Sequence, residues 1–159
     1  MKEIVENVKQ IMAEKKLTWA KATWAYPIAL KLQEYDYNLA IQWAIECLQI
    51  YSSEIKSDQL SRLDKYVQQA MDSQNALTSS QCREISREIW YLPGREEIQT
   101  AVSQLWGAIS EFKCGEEQRG AMYSSASVEL ALPNESDYDL LEQYLEAAVR
   151  ICDEYQSQN

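Results

Sequence analysis

Histidine is missing from all 159 residues. Its absence removes the commonest general base and the commonest zinc ligand together, so hydrolase arrangements that depend on an imidazole are excluded. Glycine is scarce and scattered: the four stand alone at 94, 107, 115 and 120, leaving no glycine-rich loop to cradle a phosphate. With only three prolines beside them, turns are too few for a fold made mostly of loops, and no segment sustains the alternation of a half-buried strand. No run approaches the ~18 apolar residues of a membrane span. The opening MKEIVENVKQ sets acids among its apolar positions, so it reads as an amphipathic helix and lacks the apolar core of a secretory signal. A cytoplasmic protein that does not engage membranes is therefore expected.

Short cysteine spacings are also lacking. Cys47, Cys82, Cys114 and Cys152 lie 35, 32 and 38 residues apart, too far for a zinc knuckle or a redox pair. Free thiols acting as small hydrophobes are expected, with no metal and no cofactor. Positive charge is in deficit. The formal net charge is −10, although residues 1–31 alone carry six lysines against three glutamates. From Glu129 onward eight acids face a single base, Arg150. This balance argues against nucleic acid as a direct partner, because phosphate binding needs a basic surface. It is compatible with a basic protein partner or with solubility alone.

What the chain does have is helical periodicity. Tyr37–Ser53 places Ala40, Trp43, Ala44, Cys47, Leu48 and Tyr51 on one face, and Leu39, Ile41, Ile45 and Ile50 widen it around most of the circumference. Only a narrow polar stripe is left, which predicts the central helix of an all-α domain. Before it, Ile4, Val5, Val8, Ile11 and Met12 share a face of a helix over Lys2–Lys15. Thr18 would cap a short turn over 18–25, Pro27 would open a helix ending by Tyr35, and Asp36 or Asn38 would cap the central helix. After it, Ser57 or Asp58 opens a helix with the stripe Leu60, Leu63, Val67, Ala70 and Met71. Thr78 and Gln81 have capping-box spacing ahead of Cys82, Ile85 and Ile89, and Pro93-Gly94 ends that helix. Arg95–Phe112 is the most regular stretch, with Ile98, Ala101, Val102, Leu105, Trp106, Ile109 and Phe112 inward. Small side chains over Glu116–Leu132 suit close helix packing. Ser136-x-x-Asp139 then opens a last helix carrying Leu140, Leu141, Tyr144, Leu145, Ala148, Ile151 and Cys152. The prediction is one domain over 1–159, an irregular bundle of about seven helices in antiparallel hairpins, with residues 156–159 frayed. Its core would hold Trp43, Cys47, Leu48, Leu105, Trp106 and Ile109.

Catalytic residues are not evident. A carboxylate-held Mg²⁺ would need acids one turn apart on two facing helices, and Glu84 with Glu88, and Glu142 with Glu146, have that spacing. Arg83 and Arg87 interleave the first pair, however, and a solvated, salt-bridged face accounts for it. The aromatics are more unusual. Seven of the sixteen fall between Trp19 and Tyr51, and nearly all carry a polar handle because phenylalanine occurs once. Core-edge packing explains such residues in general. If a partner surface exists, Trp19, Trp24, Tyr35 and Tyr37 stand at helix ends and loops, and Trp90-Tyr91 is a second place of the same kind. Glu135, Asp137 and Asp139 crowd a helix N-terminus, where they stabilise the helix in any case and could also form an acidic docking face.

The string Leu39-Ala40-Ile41-Gln42-Trp43-Ala44-Ile45-Glu46-Cys47 resembles the leading signature of a family of bacterial immunity proteins of polymorphic toxin systems. In that signature tryptophan, alanine and a cysteine one turn later precede a second helix ending in small residues, here the segment to Met71. Ala121–Leu132 is similar to the family's later alanine-rich helices. The resemblance implies an all-α cytoplasmic protein that protects its producer by binding a toxin, and it carries over no contact residues. The expectation is thus a non-enzymatic protein-binding protein, with a basic toxin as partner. A small Mg²⁺-carboxylate enzyme and a scaffold or regulatory subunit that homodimerises are the alternatives.

Overall fold

Caps and prolines set the helix boundaries. The computed structural model describes residues 1–14, 23–55, 58–94, 96–132 and 137–159, with the side chains of 58–60 outside that description. Eight α-helices occur among them: α1 Lys2–Ala13, α2 Tyr26–Tyr35, α3 Tyr37–Glu54, α4 Asp58–Ser73, α5 Ser79–Trp90, α6 Glu97–Lys113, α7 Glu117–Leu130 and α8 Tyr138–Gln158. No strand is present among the described residues, and no helix there is long and apolar enough to cross a membrane. Pro27 sits in the first turn of α2, where its missing N–H is not needed. Asp36 turns the chain from α2 into α3 by accepting the Asn38 N–H at 2.8 Å. Thr78 and Gln81 close a reciprocal capping box on α5, and Asp137 caps α8 by accepting the Leu140 N–H at 3.0 Å.

Burial corrects the sequence reading in several places. The expected bundle of about seven helices is present, with eight among the described residues. The last helix runs to Gln158 instead of fraying at 156, because Gln156 Nε2 donates to the Tyr35 hydroxyl and the Tyr155 ring packs on Tyr35. Helix α1 ends at Ala13, two residues short of Lys15. Ile11 and Met71 lie 41 % and 46 % exposed, each at the flank of a stripe whose centre alone meets the core. The largest correction concerns α3. Its inward face is buried as patterned, but α6 is buried further: Glu97 is its only fully exposed residue. The sequence hides this because Gln99, Ser103, Ser110 and Glu111 count as polar in a pattern yet are buried in the fold. The proposed turn over 18–25 falls largely outside the described residues, as do the caps Thr18, Ser57 and Ser136.

Helix α6 lies between α5 and α7, and its far side meets α3 and α4. Two reciprocal serine pairs fasten α5 to it. Ser79 Oγ donates to the Ser110 carbonyl at 2.8 Å and Ser110 Oγ returns the bond at 2.9 Å. Ser86 and Ser103 repeat this one heptad along, at 2.8 and 2.9 Å. The pairings run in opposite chain directions, so the two helices are antiparallel. On the other side Ser127 Oγ donates to the Ala101 carbonyl at 2.7 Å. At the opposite end of this pair, beside the connection, Gly120 comes so close to Phe112 that a β-carbon there would lie 2.5 Å from the ring.

Helix α3 packs against α2, α7 and α8. Trp43 is fully buried, donates its indole N–H to the Tyr144 carbonyl at 2.8 Å, and meets the edge of Trp24 with ring centres 6.3 Å apart. Trp106 likewise gives its N–H to the Tyr66 carbonyl, at 3.2 Å. Cys47, Leu48, Leu105 and Ile109 are buried beside them. Trp43 and Trp106 thus each find a partner for the indole N–H, without which burial would cost about 1–3 kcal/mol.

Two substitutions test this packing. Trp43→Ala removes the ring and its bond to the Tyr144 carbonyl, and is expected to cost about 3–5 kcal/mol in denaturant unfolding; a variant as stable as the parent would contradict the central role of α3. Gly120→Ala drives a methyl into Phe112, an overpacking cost of about 1–3 kcal/mol that outweighs the ~1 kcal/mol helix-propensity gain. Combining it with Phe112→Leu should recover part of the loss, and strict additivity of the two would show that the contact is not what constrains position 120.

Candidate functional site

The side chains with chemistry to offer gather along one surface. Residues 83, 86, 87, 90 and 91 recur with helical spacing on α5 and its C-cap, and so form one wall. Arg119 and Tyr123, one turn apart on α7, form the opposite wall. The floor is α6, partly open here at Gly107 between the buried Ser103 and Ser110. The groove so made has a volume of about 650 Å³.

One end of it is a rigid aromatic corner. Trp90 and Tyr91 are 51 % and 78 % exposed, the two most open of the rings placed at this end of α5. Helix α5 stops at Trp90, and its last carbonyls would be left without partners. Gln99, reaching from the first turn of α6, fills that need: its Nε2 donates to the Ile89 carbonyl at 2.9 Å and the Leu92 carbonyl at 2.8 Å. Gly94, with φ of 120°, then reverses the chain where a side chain would be strained. The two rings are therefore held out by a fixed backbone.

Arginines supply the charge. Arg83 is exposed and forms no ion pair among the described residues. Arg87 makes a solvent-exposed contact with Glu84 at 3.5 Å, which contributes little. Arg119 stands one turn from Tyr123 and 3.7 Å from Glu111, and these two neighbours, the phenol first, hold its guanidinium above its usual pKa. The Glu111 carboxylate is almost buried in the groove wall, with the exposed Cys114 thiol donating to the Glu111 carbonyl at 3.3 Å. Three of the chain's six arginines thus face one groove on a protein of net charge −10.

The other residues singled out from the sequence are dispersed. Trp19 and Glu135 lie outside the described residues. Trp24 is a correction: it is 5 % exposed and packs edge-on against the buried Trp43, so its ring belongs to the core. Tyr37 is partly buried and stacks on Phe112 with ring centres 5.3 Å apart, so it too belongs to the packing. Tyr35 is at the surface, tilted against Tyr155 with the Lys31 ammonium 5.1 Å from its ring centre. Asp137 serves as the α8 cap, and Asp139 is exposed in the same turn. Neither lines the arginine groove. Of the two carboxylate pairs, Glu84 meets Arg87, Glu88 accepts from the Tyr66 hydroxyl at 2.9 Å, Glu142 lies 3.9 Å from Lys9, and Glu146 is exposed. Among the described residues no group of three or more acidic or cysteine side chains is placed to hold a metal ion.

Sequence reading missed the groove because Arg83 and Arg87 look like a solvated helix face and Arg119 is 32 residues away. The available signal was the heptad-spaced serines 79/86 and 103/110, which align α5 with α6 and turn residues 83, 87 and 90 to one side. Comparison of the chain with protein-family models, with curated proteins and with solved structures finds no match in any of the three.

Apart from the groove, Glu129 of α7 is half-buried and accepts the Ala25 N–H at 3.2 Å where α2 begins. Burial pushes its carboxyl up to about 7, against the opposing pull of that hydrogen bond. Because the folded-state value is raised, the folded protein holds this proton more tightly than the unfolded chain. Its contribution is complete below about pH 4.5 and is lost as pH rises toward 7. Glu129→Gln keeps an oxygen for Ala25 and removes the titration. It is expected to raise the thermal midpoint at pH 8 and leave it unchanged near pH 4.5; equal shifts at both pH values would exclude the linkage.

Proposed function

We propose that this protein acts without turnover, binding another protein stoichiometrically in the cytoplasm and occluding it, in the manner of the immunity proteins that the Leu39–Cys47 string resembles. The observation that carries this reading is the Trp90–Tyr91 corner. Two large rings stand in solvent on a backbone fixed by Gln99, beside Arg83 and Arg87. Tryptophan, tyrosine and arginine are the residues enriched at the energetic centres of protein interfaces. A rigid aromatic pair also loses little conformational entropy on docking.

Charge supports a division of labour. The net charge of −10 attracts a basic partner, such as a toxin, over distances comparable to the Debye length. At contact, the arginine and aromatic surface fixes register. A docking protein of this kind requires no cofactor.

Affinity purification of the tagged chain from its source organism tests the reading. A single partner at one-to-one ratio is expected, and the double substitution Trp90→Ala, Tyr91→Ala should weaken its capture at least tenfold, about 1.4 kcal/mol, with the thermal midpoint unchanged. Recovery of no partner, or capture indifferent to the double substitution, would sink the proposal.

A further inference from the structure

The groove beside the aromatic corner gathers three arginines, with Glu111 and Glu116 as its acids, on a chain of net charge −10, and it is left open at a cost to helix stability. Gly107 occupies the middle of α6, where glycine is unfavourable relative to alanine. Packing does not demand it: an added β-carbon would lie 3.7 Å from Ser86 Oγ and 3.9 Å from the Tyr123 ring, ordinary contact distances. Its φ is not in the left-handed region either, unlike Gly94 and Gly115. The one structural consequence of Gly107 is a lower floor between Arg83 and Arg87 on one wall and Arg119 on the other.

We propose that this groove takes a short acidic segment of the partner in extended conformation, its carboxylates on Arg83 and Arg87 and an apolar side chain against Trp90 and Tyr91. The inference rests on the reading of this surface as the docking surface and names what enters it. From residue 83 to residue 91 the wall is about 12 Å long, the reach of roughly four extended residues. Residues four apart on a helix lie ~6 Å from one another, close to the spacing of same-face side chains on an extended chain, about 6.6 Å. Acids at alternate positions of the segment therefore meet Arg83 and Arg87 in turn. Guanidinium groups bind carboxylates in bidentate geometry, and Arg83 has no competing ion pair among the described residues while that of Arg87 is exposed and replaceable. A polyanion spread over many nucleotides would be repelled by the surrounding net charge, whereas a four-residue segment presents its acids only inside the groove.

A random heptapeptide display library panned on the immobilised full-length chain provides the test. The expected result is enrichment of peptides with Asp or Glu two positions apart beside an aliphatic or aromatic residue. An enriched peptide, made synthetically with a dye, should lose at least tenfold in affinity on the variant R83E/R87E, whose exposed positions leave the thermal midpoint unmoved. Gly107→Ala should raise the thermal midpoint while weakening the same peptide at least threefold. No acidic enrichment, affinity indifferent to R83E/R87E, or an octathymidylate binding more tightly than the peptide would each overturn the proposal. If R83E/R87E retains the captured partner while Trp90→Ala, Tyr91→Ala loses it, the acidic segment is refuted and the docking surface stands.

Discussion

The arrangement of this protein depends on α6 being enclosed by protein along nearly its whole length. A helix so enclosed cannot leave polar groups to water, so every buried donor and acceptor on it has to be met by a neighbour. The neighbours are chosen accordingly. Ser103 and Ser110 exchange bonds with Ser86 and Ser79, and Gln99 feeds the open carbonyls at the end of α5. Ala101 gives its carbonyl to Ser127. These small side chains have a second effect: they let the backbones of α5, α6 and α7 come close, and Gly120 beneath Phe112 shows how little space is left. Close approach is what brings Arg83 and Arg87 of α5 within a groove's width of Arg119 on α7.

The second half of the core follows a different rule. Around α3 the contacts are between large rings and aliphatic side chains, with Trp24, Trp43 and Tyr144 at the centre. Hydrophobic burial supplies the driving force there. The Trp43 N–H and the Tyr144 hydroxyl, which donates to the Ala131 carbonyl at 2.6 Å, add direction to it. Glu46 and Arg150 join α3 to α8 at the surface. One layer is therefore held by shape and by area removed from water, the other by reciprocal hydrogen bonds between small residues. The proposed docking groove lies on the second, where the helices stand close and Gly107 lowers the floor.

Charge is distributed on two scales that suit recognition. The acids are spread over α8 and the chain at large, while the three groove arginines are concentrated. A distant partner senses the sum and a docked one senses the local cluster. Glu129 adds a coupling of another kind, since the carboxyl raised toward 7 ties the start of α2 to α7 by a bond whose charge state changes near neutrality.

Much of the architecture was legible in the residues themselves. Helical periodicity, the Thr78–Gln81 box, Pro27 and the Asp36 cap locate the helices because those signals act within one or two turns of chain. The absence of histidine and of a glycine-rich loop bounded the chemistry in the same local way. Exposure at a loop did not follow: Trp24 and Trp90 occupy similar positions beside helix ends, and one is in the core while the other is in water. Nor could polar residues declare their burial, as Gln99, Ser103 and Ser110 show. The sequence alone determined an all-α chain with its caps, its apolar faces and its acidic net charge, for these depend on near neighbours and on composition. Only the tertiary structure decided that α6 is the enclosed helix and that Arg83, Arg87 and Arg119 share a groove with Trp90 and Tyr91. Those facts depend on which helix lies beside which, and that is settled by the summed packing of the whole core, not by any single stretch of chain.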